Sequence, residues 1–395
     1  MDLDAVKHRM AEEIDRRADL LLDVSHRIHA NPELNFEERH AHDLLCDVLE
    51  AEGIETERRS HGLETAFVGR AGRSGPNIAV CLEYDALPGI GHACGHNIIA
   101  AAGLGAGLAA AAVAEVCDGR VTIIGTPAEE GGGGKVLQIR AGAFEGIDAA
   151  MMVHPAGADL RGMDTVAIHR CLATYRGESA HAAAAPEKGR NALDAAVLGY
   201  VNVAALRQHI GPAERVHGVF TDGGDKPNIV PCRAEMEWYV RSPTVAGLQI
   251  LKERVVACLE AGATASGCEL ELDWLEPPYA DMVPVGTFCD LYVANAATLG
   301  RDVREPDPDS RVVGSTDMGD VSYEVPSIHP MIRAADPGTA IHTEAFAGFA
   351  AGPLGDAAVV EGAKAMAWTI ADLWMQPGVL GTITAEHGEQ LAARR

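Results

Sequence analysis

The chain has 395 residues, 47% hydrophobic and 23% charged, with a formal net charge of -25 at pH 7. That composition describes a folded globular protein with a large core and room for two or more domains. The negative excess repels nucleic acid and acidic membrane surfaces and excludes both as partners. Nine scattered cysteines, odd in number, suit a reducing compartment better than a disulfide framework. The charged N-terminus, MDLDAVKHRMAEEIDRR, has no apolar signal core, so the cytoplasm is the expected location.

In chain order, residues 4–30 predict one long helix that stops before Asn31-Pro32. HANPELNFEE (His29 to Glu38) turns into a second helix through Leu49, closed by Gly53, and residues 56–69 predict a strand pair. A buried strand, Asn77 to Leu82, then leads into EYDALPGIGHACGHNIIA (Glu83 to Ala100). The uncharged run Asn97 to Ala114 has the length of a short membrane span. It is mostly Ala and Gly, however, which suits a helix packed tightly on a sheet. A second core strand (120–126) is followed by Pro127-Ala128-Glu129-Glu130 and four glycines, then a helix (135–143) and an apolar strand (149–153) ending at His154. Strands alternating with helices predict an α/β layer with a mostly parallel sheet and helices on both faces.

From Val166 the order becomes strand, helix, strand, strand, helix, strand, the signature of a ferredoxin-like α+β unit. The expected organisation is a catalytic domain in two parts, 1–165 and 277–395, with an inserted lid or dimerisation domain at 166–276. Linkers near Gly162 and Pro277 would be its hinges.

Chemistry concentrates at predicted strand ends. Cys94 and His96, two apart in an extended loop, can converge on one point. A thiolate with an imidazole suggests a transition metal, zinc first. The pair is also compatible with simple packing. Glu129 and Glu130 follow an apolar strand at the place where open α/β sheets form sites. There one carboxylate can ligate a metal while its neighbour faces the attacking water. With His154 and His342 the set offers five ligands, too many for a closed structural zinc site and about right for two metals sharing a bridge.

These motifs, with HRIHANPELNFEE, PAEEGGGG, HAAAAPEKGRNALDA, KPNIVP, GSTDMGDVS and the Ile341-His342-Thr343 run, resemble the dinuclear metallopeptidase family of aminoacylases, hippurate hydrolases and indole-acetyl-amino-acid amidohydrolases. The GHACGHN form most resembles the branch holding p-aminobenzoyl-glutamate hydrolase and the aminoacylase-1-like dipeptidases. The resemblance spans nearly the whole chain. It implies two divalent metals, zinc or manganese, bridged by Cys94 and completed by His96, Glu130, His154 and His342. It further implies Glu129 as the general base that passes a proton from water to the leaving nitrogen. His181 would reach the partner subunit's site in a homodimer, and Asn228 and Arg241 would hold the substrate's carboxylate. Asp85 is expected to hold a histidine ligand.

Two departures stand out. Asn97 replaces the aspartate common in GHD and is expected to alter how His96 is oriented. Glu83 stands where relatives carry His or Asp, which leaves its role as a ligand open. The leading reading is hydrolysis of an N-acyl or aryl amide of an amino acid. Dipeptide and aminobenzoyl-glutamate hydrolysis are the near alternatives, a non-catalytic metal- or ligand-binding protein is a different class, and a redox role for Cys94 is a third.

Overall fold

The computed structural model describes residues 1–306 and 313–394, which form two compact units, Met1–Asp164 with Met282–Ala393, and Thr165–Asp281 with Arg394. In the first unit the strands Glu55–Arg58 (β1), Phe67–Ala71 (β2), Asn77–Leu82 (β3), Arg120–Gly125 (β4) and Ala149–Met151 (β5), with Ser327–Ile328, make one sheet in the order β1-β2-β4-β3-β5-Ser327–Ile328. Pairing is parallel from β4 through β3 and β5 to Ser327–Ile328, and antiparallel where β1 and β2 extend the other edge. The parallel strands are apolar at nearly every position because both faces are covered. Ile78, Val80 and Leu82 of β3 face one core, whereas Ala79 and Cys81 face a second core with Phe144, Met318 and Val321.

Four helices, Leu3–Arg16 (α1), Ala18–Ala30 (α2), Arg39–Ala51 (α3) and His96–Ala111 (α4), contribute to the first core with the long helix Pro353–Met375. The Ala/Gly composition of α4 is a packing requirement. A Cβ at Gly103 would lie 2.7 Å from Leu82 Cδ1, and one at Gly107 would lie 2.5 Å from Ile123 Cδ1. The helix therefore rests directly on β3 and β4. Among the described residues no helix is long and apolar enough to cross a membrane.

Two expectations are corrected here. The single helix of residues 4–30 is broken at Arg17 (φ -102°, ψ 5°), whose guanidinium is held by Glu13 and, at 2.7 Å, by Glu52 of the next helical hairpin. No Gly or Pro marks that break. His154 does not end the strand that begins at Ala149. It opens a separate short strand, His154–Ala156, paired in parallel with Met331–Arg333, which is supplied by a distant part of the chain.

The second unit has the order Ala167–Arg176, helix Ala192–Leu206, Arg215–Asp222, Arg233–Ser242, helix Val245–Ser266, Glu269–Tyr279. Its four strands pair antiparallel, with the fourth and third flanking the first and the second at the edge. Alternate residues Cys171, Ala173, Tyr175, Met236, Trp238 and Val240 bury against Leu251, Val255 and Leu259, as a one-sided amphipathic sheet requires.

Candidate metal centre and active site

The loop after β3 carries the first ligands. Gly95 takes a left-handed conformation (φ +79°), and a Cβ there would sit 2.6 Å from Pro155 Cγ. Only glycine permits this approach, and it brings Cys94 Sγ within 3.4 Å of His154 Nε2. His96 begins α4. Its Nδ1 lies 2.9 Å from Asp85 Oδ1, and the other Asp85 oxygen accepts the Glu130 backbone N–H at 2.9 Å. One carboxylate thus aligns two site residues, and it fixes His96 so that Nε2 faces Glu83 at 3.5 Å and Glu129 at 3.9 Å.

The loop after β4 is bound at several points. Glu38 accepts the Ala128 N–H at 2.8 Å, and the Asn35 amide donates to the Glu130 carbonyl at 2.6 Å. Ala128 is left-handed (φ 58°), which turns the next two side chains apart: Glu129 toward His96 and Glu130 toward His342, at 3.0 Å from its Nε2. His342, itself left-handed (φ 63°), donates its backbone N–H to Ala93 at 2.8 Å.

Ligand atoms of Cys94, His96 and His154 lie within 4.8 Å of one another, and so do those of Cys94, Glu130 and His342. Donors around one zinc-sized ion are separated by up to about twice a 2.0–2.3 Å bond, close to that spacing, so each triple is a candidate cation site. Cys94 belongs to both of these, and a third such group, Glu83, His96 and Glu129, shares His96 with the first. The residues fit a pair of cations on a further count. His96 Nε2 and Glu83 Oε2 are buried with no hydrogen-bond partner among the described residues, although His96 Nδ1 is satisfied.

Electrostatics point the same way. Burial, reinforced by the negative charge of Glu83, Glu130 and Asp317, pushes the Glu129 carboxyl well above the usual range, and burial does the same to the Cys94 thiol. The His154 imidazole is held neutral by burial and by its neighbours His329 and His96. Burial opposes charge on Asp85 as well, but His96 beside it brings the carboxyl below its ordinary value. His96 is raised despite its burial by Asp85 and Cys94, a pull equally available to a cation in place of the proton.

Some expected residues are placed elsewhere. His181, Asn228 and Arg241 belong to the second unit. His181 and Asn228 are exposed on adjoining loops joined by the Ala182 N–H to the Asn228 carbonyl at 3.1 Å, and His181 Nδ1 accepts from Ala183 and Ala184 at 3.2 Å. Arg241 lies half-buried on the strand Arg233–Ser242, its guanidinium 5.9 Å from the Tyr239 ring centroid. Asn97 has no hydrogen bond to His96 among the described residues. Its amide donates to Ser25 Oγ and to the Ala350 carbonyl, both at 2.9 Å, and ties α4 to its neighbours, while Asp85 orients the histidine.

The structure adds residues whose roles the local sequence does not reveal. Lys135 is wholly buried, with Nζ 2.6 Å from both Glu83 and Asp317. A carboxylate at the end of a buried strand needs a cation, and the one Lys following the glycine run was available to supply it. His329 is buried with its ring centroid 5.2 Å from that of His154. It sits in a Ser-Ile-His-Pro run after a short apolar strand, the same local signal as Met-Val-His-Pro at His154.

Comparison with known proteins agrees with this geometry. The chain is 38% identical to the Xaa-Arg dipeptidase of Mus musculus across 98% of its own length and 93% of that protein's. It is 29% identical to one of the p-aminobenzoyl-glutamate hydrolase subunits of Escherichia coli, covering 92% and 91% of the two chains. Its fold matches a solved Bacillus subtilis protein described as a dinuclear metal binding peptidase of the M20 family, with TM-score 0.70, 22% identity and coverage of 91% and 99%. A cysteine shared between two ligand triples at the carboxyl ends of parallel strands, together with a match over residues 80–371, makes this chain a member of the peptidase family M20/M25/M40.

Proposed function

We propose that the chain hydrolyses the amide bond on the amino side of an amino acid that keeps a free carboxylate, with Glu129 as general base. The observation that carries this is the position of Glu129: buried, with its carboxylate 3.9 Å from His96 Nε2, beside two triples that share Cys94. Glu129 also lies within ligand distance of Glu83 and His96, so Glu129→Gln is read for metal content as well as for turnover. His96 and His154 would hold one divalent cation, Glu130 and His342 the other, and Cys94 both. Bound there, the cations would polarise the scissile carbonyl and acidify the attacking water. Glu129 takes that water's proton and delivers it to the leaving nitrogen. Asp85 keeps His96 in the tautomer whose Nε2 lone pair faces the site. The thiolate and imidazoles favour zinc, and the carboxylates admit manganese.

Among amide substrates, dipeptides are the second reading, favoured by the 38% identity to an Xaa-Arg dipeptidase over nearly the whole chain. In the second unit, which we assign as a lid, Arg241 offers a planar grip on a substrate carboxylate, while Asn228 stands with His181 beyond the other end of the strand Arg233–Ser242. A homodimer would bring the partner subunit's His181 to the oxyanion. An exposed edge strand supports such pairing: Val219 is 62% and Phe220 42% exposed, with Phe220 5.7 Å from Tyr200 of a helix whose Val201 is 55% exposed. Nine free cysteines support a reducing, cytoplasmic setting.

The test pairs metal analysis with turnover of N-acyl amino acids and dipeptides after reloading with zinc or manganese. Wild type should bind about two metals and turn over a substrate. Glu129→Gln should keep its metal and lose roughly 10²–10⁴ in kcat. A variant as active as wild type removes Glu129 from its role.

A further inference from the structure

A cavity of about 550 Å³ opens in the first unit, lined by Ala156, Leu160, Met163, Met331 and Ile341 among others. It is continuous in the chain with the metal centre at three points. Ala156 lies two residues beyond His154 on the same short strand, Met331 pairs with His154 across the parallel ladder, and Ile341 precedes His342. Its volume lies within the usual range of small-molecule sites and exceeds what a single aromatic side chain fills.

The lining is apolar, and the charges at its edge are already matched. Arg304 is mostly exposed and paired with Asp302, and Glu305, also mostly exposed, stands 3.3 Å from Arg161. Neither is a buried charge waiting for an opposite one, so the cavity suits neither the carboxylate of the leaving amino acid nor a guanidinium. We infer that it receives an uncharged, apolar acyl group or apolar N-terminal side chain, on the carbonyl side of the scissile bond. This assignment rests on the hydrolase reading above and specifies its substrate: a medium-length or aryl acyl group, or a dipeptide with a large apolar first residue. Ala158, exposed on the cavity wall, is the position where added bulk would narrow it without touching the metal ligands.

The experiment uses the full-length, metal-reloaded protein and two amides of one amino acid, N-acetyl and N-hexanoyl. Each buried methylene is worth about fourfold in binding, so four of them give wild type a preference for hexanoyl on the order of 10²-fold when all are covered. Ala158→Trp should cut kcat/KM for the hexanoyl amide at least tenfold and leave the acetyl amide within about twofold. In parallel, calorimetric titration of both amides into Glu129→Gln, with and without Ala158→Trp, reads binding without turnover and should show the same chain-length dependence lost. Turnover without any chain-length preference overturns the cavity assignment and leaves the hydrolase intact. Chain-length-dependent binding with no turnover in wild type does the reverse. Equal losses for both amides in Ala158→Trp, in either assay, also overturn it.

Discussion

The two units differ in where they keep their irregularity. All six non-glycine residues with positive φ among the described residues, Phe36, Arg59, His61, Asp118, Ala128 and His342, lie in the first unit; Ala128 precedes the candidate base Glu129, and His342 is itself a candidate ligand. Each such conformation costs on the order of 1–3 kcal/mol and persists only where surrounding contacts enforce it. The first unit also buries Glu83, Asp85, Glu129, Lys135 and Asp317 together. In the second unit, strands alternate inward and outward, and site candidates such as His181 and Asn228 stand on exposed loops. Left-handed non-glycine backbone and clustered buried charge are thus features of the first unit, whereas the candidates of the second unit sit on ordinary backbone.

Breaking the buried charge set should have the largest effect. Lys135→Met leaves Glu83 and Asp317 without their shared cation, and urea unfolding should show a loss of about 3–5 kcal/mol. The matching change in the second unit, Arg176→Met, breaks an exposed pair with Glu271 and should cost less than about 1 kcal/mol. Equal costs would erase the contrast between the units.

Asp85→Asn comes next. Without the carboxylate that aligns His96 and the Glu130 backbone, metal affinity measured by competition with a chelator should fall about 10–100-fold, with the fold retained by circular dichroism. An unchanged affinity would mean that the ligand loops hold themselves.

A smaller effect tests the second unit. Burial, and then the Lys252 ammonium 2.7 Å from Nδ1, hold His169 down to about 4. Its folded value lies below the ordinary 6.5, so the unfolded chain takes up a proton that the folded chain refuses, and stability is lost as pH falls from about 6.5 toward 4. Between pH 7.5 and 5, wild type should lose about 1–2 kcal/mol more than His169→Gln, read from urea midpoints. For the metal centre itself the smallest change is expected from Asn97→Asp. Its side chain serves helix packing, so metal stoichiometry should stay at the wild-type value while stability shifts by about 1–3 kcal/mol, the cost of replacing the amide donor.

Much of this was legible in the chain. The mostly apolar, β-branched runs at 77–82 and 120–125 read as buried strands, and the loops that follow them carry Cys94, His96, Glu129 and Glu130. The β-α-β-β-α-β order was readable from alternation and turn residues. What escaped depends on partners far away in sequence. Arg17 breaks a helix because Glu52 waits for it. His154 leaves its strand because residues 331–333 pair with it. Lys135 looks like any first-turn helix lysine until Glu83 and Asp317 close around it. Local pattern fixes periodicity, whereas a buried charge is explained only by a contact that periodicity does not encode.

One consequence reaches beyond the site. Because α4 touches β4 through the bare backbone at Gly107, and His96 stands at the other end of the same rod about 16 Å away, the helix behaves as a shim of fixed thickness. One methyl group at Gly107 would lift the rod off its seat and carry the imidazole with it. The placing of this candidate ligand thus depends on a remote bearing surface, in residues that are themselves no part of the candidate site.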